Sequence, residues 1–101
     1  MLIAAVVAVA VAHADRVEVD TAVADLAARL EVDSAIIGVV TVDEVTWADS
    51  SLGCPEPDRA YLQVLTPGLR IILTAGESTY EYHAGPGGRV ILCANPKPPI
   101  R

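Results

Sequence analysis

Few side chains in this sequence can do chemistry, and their types and spacing decide what is worth testing. Cys54 and Cys93 stand 39 positions apart. In a chain this small two cysteines read most simply as one disulfide in an oxidising compartment, and closing a loop of that length stabilises by about 2–4 kcal/mol. The alternative is a pair of unpaired thiols; Pro55 and Glu56 follow Cys54, and a neighbouring carboxylate disfavours a reactive thiolate. A structural zinc site needs four ligands at recognisable spacings. His83 is the only other soft ligand beyond residue 14, so no metal is expected. Glu81 and His83 lie two apart in a strand-like run, which puts them on one face, where they could ligate a metal or exchange protons. With Thr79 beside them and Tyr80 and Tyr82 on the opposite face, that set reads as the solvated side of a sheet. Ser50 or Ser51 with Asp49 and His83 has the composition of a hydrolytic triad, but neither serine sits in a Gly-x-Ser-x-Gly turn. Gly85-Pro86-Gly87-Gly88 has no following Lys-Ser/Thr, so it reads as a hairpin turn and not a phosphate cradle. The acidic residues form no calcium-loop pattern. The expectation is a non-enzymatic chain with no catalytic residue and no cofactor.

The most individual stretch is Trp47-Ala48-Asp49-Ser50-Ser51-Leu52-Gly53-Cys54-Pro55-Glu56-Pro57. A single tryptophan at a strand end, beside a proline-bounded loop tied down through Cys54, makes a rigid surface of the kind on which binding residues tend to sit. The candidate contact residues are Trp47, Leu52, Pro55, Glu56 and Pro57, joined by Gln63, Pro67 and Gly68 at the next turn. The opposing reading has Trp47 and Leu52 plugging one end of a core that contains no phenylalanine.

These residues need a frame. Asp20 or Thr21 can cap a helix in which Val23, Leu26, Ala27 and Leu30 repeat at the i, i+3, i+4, i+7 spacing of one buried stripe, with Asp25 and Arg29 paired on another face. Glu31-Val32-Asp33-Ser34 forms a polar loop. Residues 36–47 are rich in β-branched side chains and read as a strand. Val40 and Val42 share one face and Val45 and Trp47 the other, a change of phase that a bulge near Asp43 and Glu44 reconciles. Residues 48–59 form a loop. Strand-like runs follow at residues 61–66, 69–74, 79–83 and 89–93, and the glycine-bearing connections at 75–78 and 85–88 suit hairpins. The fold expected is therefore α+β: one N-terminal amphipathic helix packed on an antiparallel sheet of about four strands. Residues 95–101, with three prolines, read as an extended tail that packs little.

Length and charge bound the rest. A chain of 101 residues supports one domain with one small core. The net charge of −6, without a cluster of Lys or Arg, excludes the basic stripe that nucleic acid requires. The chain is 52% apolar, but every residue of Met1–Ala14 except His13 is apolar, so much of the excess is local. Residues 2–12 (LIAAVVAVAVA) are too few to span a bilayer as a helix. Ala12-His13-Ala14 offers the small residues of a cleavage site. Residues 1–14 thus read as a signal peptide, residues 15–94 as a single domain with no transmembrane segment in the mature chain, and the location as secreted or periplasmic.

The pattern Trp-x-Asp-Ser-Ser-Leu-Gly-Cys-Pro-x-Pro, continued by Tyr61-x-Gln63-Val64, Pro67-Gly68-x-Arg70-Ile71-x-Leu73, Tyr80-Glu81-Tyr82-His83 and Cys93, resembles small exported bacterial proteins and lipoproteins of unassigned function. The resemblance covers about residues 39–93 and implies an exported domain. More distantly, the order of one helix before an antiparallel meander is similar to cystatin-type protease inhibitors, whose inhibitory hairpin carries Gln-x-Val-x-Gly where this chain has Gln63-Val64-Leu65-Thr66-Pro67-Gly68. The function expected is binding of a protein partner, with protease inhibition its most concrete form. The alternative is a structural module of the envelope, and the third reading a small hydrolase or metal-binding protein.

Overall fold

A computed structural model describes residues 16–101, and the expected leader at residues 1–14 lies outside the described residues. Helix α1 spans Val17–Leu30, a turn earlier than a cap at Asp20 or Thr21 implies. Arg16 occupies the N-cap position with no side-chain hydrogen bond to the helix, and Glu18 and Asp20 instead lie in the first turn, where their negative charge suits the helix dipole. Glu31 ends the helix in the left-handed region at φ 57°, its N–H reaching the carbonyls of Ala27 and Ala28. The buried stripe is Val19, Ala22, Leu26 and Ala27. Val23 packs at its margin and Leu30 is exposed. The pairing of Asp25 with Arg29 is present at 2.6 Å.

Four strands follow: β1 (Gly38–Trp47), β2 (Thr66–Ala75), β3 (Ser78–Ala84) and β4 (Val90–Leu92). They pair in the order β1-β2-β3-β4, every neighbour antiparallel, as one meander. The β2–β3 hairpin closes with Ala75 opposite Ser78, and Gly76 takes φ 63° where a tight two-residue turn needs a positive angle. Pro86–Gly88 make a tight turn before β4, in which Gly87 takes φ 75°. The fold is thus a small α+β domain, one helix against a four-stranded antiparallel sheet.

Two expectations about strands are corrected. Residues 61–65 join no β-ladder, and Thr66 sits opposite Trp47 where the β1–β2 ladder ends; β-favouring composition without a ladder partner does not make a strand. Pro67 and Gly68 accordingly lie inside β2 and not in a turn. The missing N–H of Pro67 falls where β2 has only β1 beside it, since β3 reaches no further than Ala84 opposite Leu69. The bulge lies at Val40, between the Val39–Leu73 and Thr41–Ile72 pairs, and not near Asp43 and Glu44.

The change of phase along β1 has a different cause: both faces of the sheet are covered. On one face Leu69, Ile71, Leu73, Tyr82 and Ala84 pack with the helix stripe and with Val42. The register places Asp43, Val45 and Trp47 on the other face with Arg70, Ile72, Glu81, His83 and Ile91. That second face is closed by residues 48–65, by the Cys54–Cys93 disulfide and by the C-terminal segment. The segment is extended, as expected, but attached: Thr46 N–H donates to Arg101 O at 2.7 Å, Ile100 N–H to Thr46 O at 2.9 Å, and Lys97 N–H to Gly53 O at 2.9 Å. It therefore covers part of the outer edge of β1, which would otherwise offer unpaired backbone groups.

Candidate functional site

The residues of possible chemistry gather on this second face. Trp47, the last residue of β1, is wholly buried. Its indole N–H donates to Ala84 O at 3.1 Å, and its ring stacks on His83 with centroids 4.1 Å apart and planes 23° from parallel. Gly68 makes this possible: a Cβ there would stand 1.9 Å from Ala84 O and 2.6 Å from Trp47 Nε1. Leu52 is also wholly buried, held at φ 59° in the loop, and its methyls fill the space beside Gly85, where a Cβ would come within 2.6 Å of Leu52 Cδ2. Trp47 and Leu52 therefore leave the set of contact residues, because their surfaces are spent on this small second core.

His83 is fully buried, which overturns its reading as part of a solvated face. Its Nδ1 lies 2.5 Å from Leu52 O and 3.1 Å from Cys54 Sγ, and its Nε2 lies 2.6 Å from Glu81 Oε2. Two of those partners, a carbonyl and a carboxylate, only accept hydrogen bonds, and between them they engage both ring nitrogens. Arg70 completes the chain, its Nε and Nη2 donating to the two oxygens of Glu81 at 2.9 and 3.3 Å. Burial would raise the Glu81 carboxyl, but the hydrogen bonds from His83 and Arg70 outweigh it and hold the group below the ordinary carboxylate range. A polar chain this well paired is tolerable under a sheet, and it leaves His83 no free nitrogen for a substrate.

Cys54 and Cys93 are bonded, with Cα atoms 5.4 Å apart, so the disulfide reading holds and that of unpaired thiols does not. The sulfur atoms and a His83 ring nitrogen all lie within 4.8 Å of one another. Spacing along the chain hid this triad, since 29 and 39 positions separate Cys54 from its two companions. Asp49 shapes the start of the loop by accepting from Ser51 Oγ and Ser51 N–H at 2.6 and 2.9 Å, and those bonds hold its carboxyl below the ordinary range. Neither Ser50 nor Ser51 is bonded to His83: Ser50 Oγ accepts from Leu62 N–H at 2.9 Å.

The remaining candidates divide. Pro55, Glu56, Pro57, Gln63 and Pro67 are exposed, whereas Gly68 is half-buried beneath the indole. Glu56 N–H donates to Tyr61 Oη at 3.0 Å, and the Glu56 carboxylate meets Arg59 at 3.3 Å, so the loop carries its own bracing. The most exposed apolar neighbours are Leu62, Val64 and Leu65, at 72%, 52% and 56% accessible; the last two fall inside the expected Gln63–Gly68 contact turn, whereas Leu62 lies outside it. Their alternation read as a strand, and an apolar run without a ladder partner was the signal that could have marked them. The family model described as "Domain of unknown function (DUF8738)" matches residues 19–93. The chain belongs to this family. No curated protein and no solved structure matches it significantly. The DUF8738 match begins inside α1 and ends at Cys93, so it takes in both sheet faces and both cysteines.

Proposed function

We propose that this DUF8738 domain is an exported, non-enzymatic module that binds a protein partner through residues 55–65, with inhibition of an extracytoplasmic protease as its most concrete form. The observation that carries the reading is the exposure of Leu62, Val64 and Leu65 on a stretch whose backbone is held at both ends. Ser50 N–H donates to Leu62 O at 3.0 Å, Leu62 N–H to Ser50 Oγ, and Thr66 Oγ1 to Val64 O at 2.8 Å. Large apolar side chains on an ordered loop cost solvation in the free protein and lose little entropy on docking, a combination that suits recognition. Pro55, Glu56, Pro57 and Gln63 extend the surface. Export is supported by the disulfide, which persists in oxidising compartments, and by the resemblance to exported proteins. Among the described residues no helix is long and apolar enough to cross a membrane.

The burial of Trp47 and Leu52 favours a second reading, a structural envelope module in which the loop serves only as a plug. Titration of papain-like and serine proteases with purified protein at micromolar concentration separates the two. The binding reading expects inhibition of at least one enzyme, lost in a Leu62→Asp/Val64→Asp variant that keeps its circular dichroism. Absence of inhibition across both classes removes the inhibitor form, and a loop variant that changes no measurable association leaves the plug.

A further inference from the structure

We propose that reduction of the Cys54–Cys93 disulfide opens a buried binding site for one thiophilic divalent cation, Zn2+, made by Cys54 Sγ, Cys93 Sγ and His83 Nδ1. The fold has already brought these ligands together, with all three within 4.8 Å and His83 Nδ1 3.1 Å from Cys54 Sγ. Tetrahedral zinc with bonds of about 2.3 Å to sulfur and 2.0–2.1 Å to nitrogen needs sulfurs about 3.8 Å apart. Once the S–S bond is broken, rotation of the two cysteine side chains supplies that separation from Cα atoms 5.4 Å apart.

The surroundings are those of a metal-bound histidine more than of an incidental core histidine. Such a histidine commonly donates its second ring N–H to a carboxylate, which fixes the tautomer and the ring plane. Here Nε2 meets Glu81 at 2.6 Å, Arg70 clamps Glu81, and Trp47 stacks on the ring. Two thiolates offset the charge of Zn2+, and His83 keeps its bond to Glu81 through Nε2. A cleft of about 180 Å³ bordered by Cys54, Pro57, Ile91, Cys93 and Asn95 gives a route in and room for water as the fourth ligand.

The step is a thiol–disulfide exchange followed by ligation. A dithiol reductant attacks the more exposed Cys54 sulfur, the S–S bond breaks, and the reductant leaves as its own disulfide while Cys54 and Cys93 become thiols. Zinc then displaces one proton from each thiol to water, and His83 Nδ1 turns its lone pair to the metal in place of its bond to Leu52 O, whose carbonyl must swing aside. The disulfide is the closed form of the site, so an oxidising compartment keeps it metal-free until a reductant arrives. This inference does not depend on the partner-binding reading, whose residues lie on the outer loop.

The test uses the full chain, reduced anaerobically with a phosphine and titrated with Co2+ as a spectroscopic probe. The expected result is one Co2+ per chain with a thiolate-to-cobalt charge-transfer band and the strong visible bands of a tetrahedral site, displaced by one equivalent of Zn2+. The oxidised chain should show neither. Cys54→Ser/Cys93→Ser should abolish the charge-transfer band, His83→Ala should abolish the tetrahedral signature, and Glu81→Gln should weaken Zn2+ affinity about 10- to 100-fold. Zn2+ should also raise the melting temperature of the reduced chain and leave that of the oxidised chain unchanged, which covers the case of a reduced chain that is partly unfolded. A reduced chain that takes up no cobalt and gains no stability from zinc overturns the proposal, as does cobalt binding indifferent to His83 and Glu81.

Discussion

Trp47 shows how one residue organises its surroundings. Its indole lies across Gly68, donates to Ala84 O and stacks on His83, so the end of β1, the start of β2 and the end of β3 meet at one side chain. Replacing it removes the largest buried side chain of a core without phenylalanine. Trp47→Ala is expected to cost about 3–5 kcal/mol, enough to consume much of the stability of a domain this small. Gly68→Ala tests the same contact from below. Its Cβ would collide with the backbone carbonyl of Ala84 at 1.9 Å, and a backbone atom cannot swing aside as a flexible side chain can. We expect a loss of at least 1–3 kcal/mol in urea denaturation followed by circular dichroism, accompanied by a red shift of Trp47 emission as the indole is lifted into water. A Gly68→Ala protein as stable as the parent would show that the indole does not depend on that gap.

At the scale of the elements, the helix is locked to the sheet by a polar bond as well as by its apolar stripe. Tyr82 Oη donates to Asp25 Oδ2 at 2.6 Å, and Arg29 Nε donates to the same oxygen. Burial, then the bond to Asp25, pushes the Tyr82 phenol well above its ordinary value. Burial would also raise Asp25, but the bonds from Tyr82 and Arg29 prevail and its carboxyl sits below the ordinary range. The two signs bound a pH window. Asp25 is depressed on folding, so its stabilisation is present above the unfolded value of about 3.9 and is lost as pH falls through the lower folded value. Tyr82 is raised on folding, so its stabilisation is complete below about pH 10 and is lost as pH rises beyond it. Tyr82→Phe keeps the ring and removes the bond. It should lower stability by about 1 kcal/mol at pH 7 and flatten both the acid and the alkaline limb of melting temperature against pH; a variant whose limbs match the parent's would sink the lock. The helix, the meander and both hairpins were legible in the sequence because their signals are local: a 3.6-residue stripe, β-branched runs and glycine at turns. The exact start of α1 was not, since Asp20 has the composition of a cap and the position of a first-turn acid. His83 was misplaced for a further reason. Alternation along β3 shows which residues share a face, but only the long loop after Trp47 decides whether that face is wet, and a loop that folds back leaves no periodic trace.

For the whole molecule, the two faces of the sheet are held by different means. The helix side is a continuous apolar cluster, whereas the loop side is a smaller assembly of Trp47, Leu52 and a polar chain, stapled by Cys54–Cys93. A bridge closing 39 positions restricts the unfolded chain by about 4 kcal/mol in the loop-entropy model. For a domain of this size 1 kcal/mol corresponds to about 4–8 °C, so reduction in the absence of metal should lower the melting temperature by about 16–32 °C. The loss should not fall evenly. Without the bond, Ser50–Leu62 and Lys97–Gly53 are the main backbone ties on the loop side, while Ile71, Leu73 and Tyr82 stay packed beneath the helix. Hydrogen exchange on the reduced chain should therefore show residues 48–65 opening first, with the amides of β2 and β3 protected until global unfolding. Equal loss of protection in the loop and in β2 would mean that the faces unfold as one unit and that the staple serves the whole core. Loss confined to the loop would mean that the chain can release its binding surface and the Cys54–His83–Cys93 cluster together while the helix–sheet half stays folded.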